Sequence, residues 1–312
     1  MTLAILCSGQ GAQHAGMFEL TGGVPAAVPL FERAGTLLGQ DPRDLVREAE
    51  REVLFENRTA QLLCSLQALA ADALLADRLP KRRCVAGYSV GEVAAWGVAG
   101  LIEPLATLEL VATRADAMNA ANHGRQGMLF VRGLTRDVVE RLCEGQDAAI
   151  AIANPGDAWV IGGLQPALGA IAIQAKASGA LRVVPVHVAV ASHTYLLADA
   201  SGAFRDALAG VSIAHAPKPG VRLLSGLDAA SVLNVDAGVQ KLARQISEPI
   251  DWAGCLAACV EAGASVFLEL GPGRALAEMA AGAYPGIPSR SVDDFHSLAG
   301  LQAWLSRVVP DS

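Results

Sequence analysis

The sequence predicts an α/β protein in which a large α/β domain is interrupted by a smaller unit, and two observations carry that prediction. The first is the hexapeptide Gly87-Tyr88-Ser89-Val90-Gly91-Glu92, a G-x-S-x-G set between apolar Cys84-Val85-Ala86 and helix-compatible Val93-Ala94-Ala95-Trp96. That context is a strand, a sharp turn and a helix, and it makes the large domain α/β-hydrolase-like. The second is the change in pattern over residues 127–189, where short apolar segments follow the order β-α-β-β-α-β of a ferredoxin-like unit. The predicted organisation is therefore a large domain of residues 1–126 and 190–312, with 127–189 inserted as a ferredoxin-like small domain.

Taken in order, residues 3–7 form an apolar run suited to a buried strand, which empties into the loop Ser8-Gly9-Gln10-Gly11-Ala12-Gln13. The loop is not a nucleotide loop, because a G-x-G-x-x-G needs glycine where His14 stands and a P-loop needs lysine where Met17 follows Gly16. Residues 25–58 alternate helical stretches with polar turns, and residues 61–76, rich in Leu and Ala, predict a helix. Lys81-Arg82-Arg83 opens the strand that leads to Ser89, and residues 104–121 predict a further helix carrying Arg114. Within the small domain the expected elements are strand 127–133, helix 135–144, strands 148–153 and 158–162, helix 165–178 and strand 181–189. Beyond it come strand 221–225, helix 239–246, a turn at Glu248-Pro249-Ile250-Asp251-Trp252, strand 266–270 ending in Gly271-Pro272-Gly273, and a closing helix over 298–308.

Composition narrows the function. With 312 residues, 52% hydrophobic and 18% charged, the chain can bury a large core. A formal net charge of −7 leaves no basic excess to neutralise phosphates, which argues against nucleic acid. The six cysteines, at positions 7, 64, 84, 143, 255 and 259, contain no C-x-x-C pair and read as reduced, buried thiols of a cytoplasmic protein with no metal centre. The first residues lack the basic region of a signal peptide, and the longest uncharged tract, 158–175, is broken by Gly162-Gly163 and Pro166, so no membrane span is expected.

The chemistry centres on Ser89. A serine held in a strained elbow exposes its hydroxyl at the C-terminal edge of a sheet, while the following helix aims free N–H groups at a developing oxyanion. A serine nucleophile needs a base, and six histidines compete: His14, His123, His187, His193, His215 and His296. His187, inside an apolar strand, reads as a core residue. His193 follows that strand at the return to the large domain, where it is expected to begin a helix with an exposed imidazole.

Four motifs in order, Gly9-Gln10-Gly11-Ala12-Gln13, Gly87 to Glu92, Ser192-His193 and Gly271-Pro272-Gly273, make the chain resemble the malonyl-CoA:acyl carrier protein transacylase family over nearly its whole length. The resemblance implies Ser89 as nucleophile, His193 as base, backbone N–H groups of Gln10 and Val90 as the oxyanion hole, and Arg114 as the partner of the malonyl carboxylate. It also implies a main-chain carbonyl near Asp251 that orients the histidine. Malonyl-CoA would be the substrate with no bound cofactor, and a carrier protein with a phosphopantetheine-type thiol the partner.

Tyr88 stands where the family has histidine, Cys7-Ser8 replaces its F-P, and the glutamine that often follows the family's N-x-P segment is missing from Asn154-Pro155-Gly156-Asp157-Ala158. The G-Y-S-x-G-E variant resembles the transacylase subunit of malonate decarboxylase complexes, so Tyr88 is expected to shape the acyl pocket and other decarboxylase subunits are expected partners. The alternatives are a transacylase of fatty acid or polyketide synthesis and an acyl-thioester hydrolase. A basic docking patch for an acidic carrier would draw on Lys218, Arg222 or Arg274.

Overall fold

The computed structural model describes residues 2–309 as a mixed α/β fold. Its strands are β1 (Thr2–Cys7), β2 (Arg83–Gly87), β3 (Gln126–Arg132), β4 (Ala148–Asn154), β5 (Ala158–Leu164), β6 (Arg182–Val186), β7 (Val221–Leu223), β8 (Ile250–Asp251), β9 (Ala264–Glu269) and β10 (Ser289–Ser291). They form two five-stranded sheets, one in the order β10-β9-β1-β2-β7 and the other in the order β6-β3-β5-β4-β8.

The first sheet is parallel throughout. Its central strand β1 is buried from Leu3 to Cys7. Such continuous apolar runs belong to parallel sheets covered on both faces. The Asn57–Leu75 and Val90–Val98 helices share its core, where Leu62, Leu66, Val93 and Trp96 pack with Ile5 and Val85.

In the second sheet β3 pairs antiparallel with β5 and β6, and β5 antiparallel with β4. The side chains divide with period two. Leu129, Val131 and Ile161 pack with Leu168 and Ile171 of the Gln165–Ala177 helix and Val139 of the Arg136–Cys143 helix. Met128, Ile152 and Val160 belong instead to the core of the large sheet. Being apolar on both faces, this sheet is clamped between its own helices and the first sheet's layer.

Three differences from the sequence expectations concern the site. The turn expected at 248–252 contains β8, which adds in parallel to β4 through Ile152 with Ile250 and Ala153 with Asp251, so the second sheet draws a strand from outside residues 127–189. The strand expected to reach residue 189 ends at Val186, and His187 is exposed, edge-on to Phe55, rather than in the core. No helix starts at His193; it lies in a loop before the 3-10 turn Tyr195–Leu197 and is only 1% exposed. The helix expected from 61 starts four residues earlier, at Asn57, and the closing helix runs Leu298–Val308. No helix among the described residues is long and apolar enough to cross a membrane.

The tightest constraint in the fold is at the turn after β2. A Cβ on Gly91 would overlap the Cys7 carbonyl of β1, and one on Gly87 would overlap the backbone of Gly91 and Glu92. Gly91→Ala should therefore force the Val90–Val98 helix off β1 and cost about 1 to 3 kcal/mol, as overpacking of a filled interior does. Gly169→Ala, on a helix with open space around its Cα, should be neutral or stabilising. Urea midpoints for the two variants check this; equal stability of both would show that the contact at Cys7 yields freely.

Candidate active site

Ser89 caps the Val90–Val98 helix with φ 57° and ψ −122°, a conformation that costs a non-glycine residue on the order of 1–3 kcal/mol. The strain is held by the backbone packing at Gly87 and Gly91, by the Tyr88 N–H donating to the Cys7 carbonyl at 3.0 Å, and by the Gly91 N–H donating to the Tyr88 carbonyl at 2.9 Å. Thus the side chain of Ser89 projects from the C-terminal end of β2. Its Oγ lies 2.8 Å from His193 Nε2.

His193 also has positive φ, 62°, and its backbone N–H donates to the Ile246 carbonyl at 2.8 Å. Its Nδ1 lies 2.5 Å from the Gln245 carbonyl oxygen. A carbonyl can only accept, so Nδ1 carries the proton and Nε2 is left as the acceptor for Ser89 Oγ–H. Gln245 follows the last turn of the Val235–Arg244 helix, where carbonyls lack intrahelical partners, and one of those free oxygens is spent on the histidine. Burial, followed by the positive charge of Arg114, pushes the imidazole down to about 3, with the Gln245 bond acting in the opposite direction. The resting imidazole is neutral.

The orienting carbonyl corrects the expectation at Asp251. The Asp251 N–H donates to the Gly226 carbonyl, its backbone pairs with β4, and its carboxylate caps the Trp252–Glu261 helix by accepting from the Gly254 N–H at 2.9 Å. Six positions upstream, Gln245 supplies the carbonyl instead.

Arg114 lies on the Pro104–Ala120 helix and is 1% exposed. Its Nη1 donates to Gln61 Oε1 at 2.6 Å and its Nη2 to Gln245 Oε1 at 3.2 Å, while Nε has no partner among the described residues. Both partners are neutral amides. Burial pushes the guanidinium down to about 10, opposed by the charge of Glu92, whose carboxylate accepts from the Gln245 amide. Among the described residues no carboxylate forms an ion pair with Arg114, so a buried cation stands with a spare donor and no direct counterion. That is an unfavourable arrangement for stability alone and a favourable one for an anion.

Ser89, His193, Gln10 and Tyr88 line a cavity of about 60 Å³ with Met128, Ile152 and Val160 of the second sheet. Gln10 and Tyr88 also line a larger cavity of about 340 Å³ that extends to Phe130, Arg182, His187 and Pro272. Tyr88 packs edge-on to Trp252 at 5.3 Å between centroids, and burial raises its phenol well above the ordinary range. Val90 is the first residue of its helix; neither its N–H nor that of Gln10 meets an acceptor among the described residues. Arg114 lines neither cavity and meets the site through Gln245. The remaining basic candidates separate: Arg274 immediately precedes Ala275 of the larger cavity, Arg222 lies on the edge strand β7, and Lys218 bonds Asp72 and the Val98 carbonyl, at the far end of the helix that Ser89 starts.

Gln61 and Gln245 are the members that the sequence did not single out, and Glu92 stood in the elbow motif without a role of its own. Gln61 lies in a Leu- and Ala-rich helix that also buries Thr59, Ser65 and Gln67, so the sequence does not set it apart from them. Gln245 carries no signal, since its backbone oxygen is common to every residue and its amide meets partners far away in sequence.

A family model described as an acyl transferase domain matches residues 5–285. The malonyl CoA-acyl carrier protein transacylase of Mycobacterium bovis is 31% identical, with 96% of this chain and all of that protein aligned. That of Synechocystis sp. is 28% identical over 96% of this chain and all of the relative. Among solved structures, an acyl-carrier-protein S-malonyltransferase from Burkholderia pseudomallei superposes with a TM-score of 0.89 at 29% identity, covering 98% of this chain and 100% of that one. A malonyl-transacylase solved in complex with a type II polyketide synthase acyl-carrier protein gives a TM-score of 0.89 at 26% identity, with 98% and 100% covered.

The depressed imidazole has a consequence for pH. Only neutral His193 can accept the Ser89 proton, and the folded protein keeps it neutral well below the ordinary imidazole range of about 6 to 7. The rate at which a fluorophosphonate modifies Ser89 should show no acid limb in that range. A midpoint near the ordinary histidine value would show an imidazole far more solvated than this one.

Proposed function

The chain belongs to the acyl transferase domain family, and on that premise we propose that it moves a malonyl group from malonyl-CoA to the thiol of an acyl carrier protein through an ester on Ser89. One observation carries the reading: Ser89 Oγ, 2.8 Å from a neutral imidazole, shares Gln245 with a buried arginine that lacks a counterion. The first centre performs acyl transfer, and the second selects an acyl group ending in a carboxylate. Relatives named malonyl CoA-acyl carrier protein transacylases, aligned over their whole length, support it.

In the first half-reaction Ser89 Oγ attacks the thioester carbonyl carbon as His193 Nε2 takes its proton. The oxygen that becomes negative is held by the backbone N–H groups of Gln10 and Val90, the latter at the positive end of its helix. The carbon–sulfur bond then breaks, and CoA leaves as the thiol with the proton from His193. In the second half the carrier thiol gives its proton to His193, its sulfur attacks the ester, and Ser89 regains its hydrogen. While imidazolium exists, the Gln245 carbonyl at a helix C-terminus faces its Nδ1–H and stabilises the charge. Arg114 pairs the malonyl carboxylate, replacing its lost hydration with a planar pair of donors. Tyr88 shapes the wall beside the acyl group.

We read residues 127–189 as a ferredoxin-like insert in an α/β-hydrolase-like domain of 1–126 and 190–312; the neighbouring order β6-β3-β5-β4 supports this, with β8 lent by the large domain. For the acceptor, the elbow with Tyr88 favours the carrier of a malonate decarboxylase. A fatty acid or polyketide carrier is the alternative, and transfer rates from malonyl-enzyme to each carrier type discriminate between them. Faster transfer to the fatty acid carrier would return the chain to lipid synthesis.

Ser89→Ala should abolish acylation, and His193→Ala should slow it by roughly a hundred- to ten-thousand-fold. Arg114→Ala should lose malonyl-CoA turnover far more than acetyl-CoA turnover, by about 3 to 5 kcal/mol of differential stabilisation, since only malonyl leaves a buried charge unpaired. Steady-state kcat/KM for the two substrates checks this, and equal losses would make Arg114 structural.

A further inference from the structure

Glu92 is buried one helical turn beyond Ser89, and no step above uses it. We propose that Glu92 is a positioning residue that fixes the orientation of the Gln245 amide and thereby holds the base and the buried arginine in one frame. The amide is surrounded asymmetrically. On its oxygen side, Oε1 accepts from Arg114 Nη2 at 3.2 Å. On its nitrogen side, Nε2 donates to the Ser89 carbonyl at 2.8 Å and to Glu92 Oε2 at 2.9 Å. An inverted amide would turn its N–H groups toward the guanidinium and its oxygen toward two acceptors, losing all three bonds.

The Ser89 carbonyl engages only one of the two Nε2–H donors, which would leave the other without a partner in a fully buried side chain. Glu92 adds a second acceptor on the same side, from a helix fixed by the Gly91 packing against β1. With the amide pinned, the turn that carries Gln245 is pinned as well, and its carbonyl is placed for His193 Nδ1. One side chain therefore ties together Ser89, Glu92 and Arg114, and the backbone of the same residue holds His193.

The relevant property of Glu92 is an oxygen at the right reach rather than a negative charge. Burial pushes its carboxyl up to about 7, partly offset by bonds to the Gly226 backbone and Gln245, and both protonation states keep an oxygen that accepts from Gln245. Gln at this position preserves the reach without the charge; Asp preserves the charge with a shorter reach.

The malonyl aspect of the proposal rests on the function proposed above, so the test uses two readouts. Fluorophosphonate modification of Ser89, followed by intact mass, reports the base without malonyl-CoA; acylation by malonyl-CoA reports base and arginine together. Glu92→Gln should keep both rates within the parent's order of magnitude. Glu92→Asp and Glu92→Met should lower both by up to about a hundredfold, as a small misplacement of reacting groups does. Gln245→Leu, which retains the backbone carbonyl, should show the same loss, and adding Glu92→Met to it should cost nothing more. The proposal is overturned if Asp matches the parent while Gln falls, or if the Glu92 and Gln245 losses multiply. Should Glu92→Met fail to fold, the order of Gln over Asp still decides. A parent that is modified by the phosphonate but takes no malonyl would defeat the substrate reading and leave the positioning of the base measurable.

Discussion

The contact between Gly91 and the Cys7 carbonyl is the constraint on which the site depends. It lets the Val90–Val98 helix start against the end of β1, and so forces Ser89 to φ 57° at the close of β2. From that position the serine reaches His193, itself at φ 62°, across 104 residues of sequence. Two strained residues facing one another are stable only when the surroundings leave no relaxed alternative. Here the parallel sheet, the buried helices and the apolar second sheet supply those surroundings, while ordinary backbone hydrogen bonds hold each residue in place.

Electrostatics adds a second layer. His193 and Arg114 are both buried, and the charge of one depresses the proton affinity of the other. The result is a neutral base beside a permanent cation, the division of labour that an acyl transfer with a charged acyl group needs. Glu92 lies on the far side of Gln245, close enough to oppose Arg114's loss of its proton but not bonded to it. Were Glu92 in direct contact with the guanidinium, the cation would be satisfied internally and a substrate carboxylate would compete for it.

Much of this was legible because it is local. The elbow glycines, the strand before them and the helix after them are consecutive, and period-two apolarity marks the strands of the second sheet. Ser192-His193 was legible as a position, but its environment was not: burial of the imidazole arises from packing that no nearby residue announces. Asp251 illustrates the limit. The orienting group is a main-chain oxygen, every residue has one, and which is used depends on where the Val235–Arg244 helix ends in space. Gln61 and Gln245 meet Arg114 from 53 and 131 positions away, and β8 was hidden because two residues are too few to show a period. His187 looked like core because its strand was read three residues too long at that end.

The central claim is that Ser89 carries the acyl group between two thiols. The most direct measurement is intact mass followed by peptide mapping after malonyl-CoA is added, and again after a carrier protein bearing its phosphopantetheine thiol is supplied. The account predicts one malonyl adduct per chain, on the peptide containing Ser89, persistent in water and discharged onto the carrier. An adduct on any other residue, or one that water removes as fast as the carrier does, would contradict it.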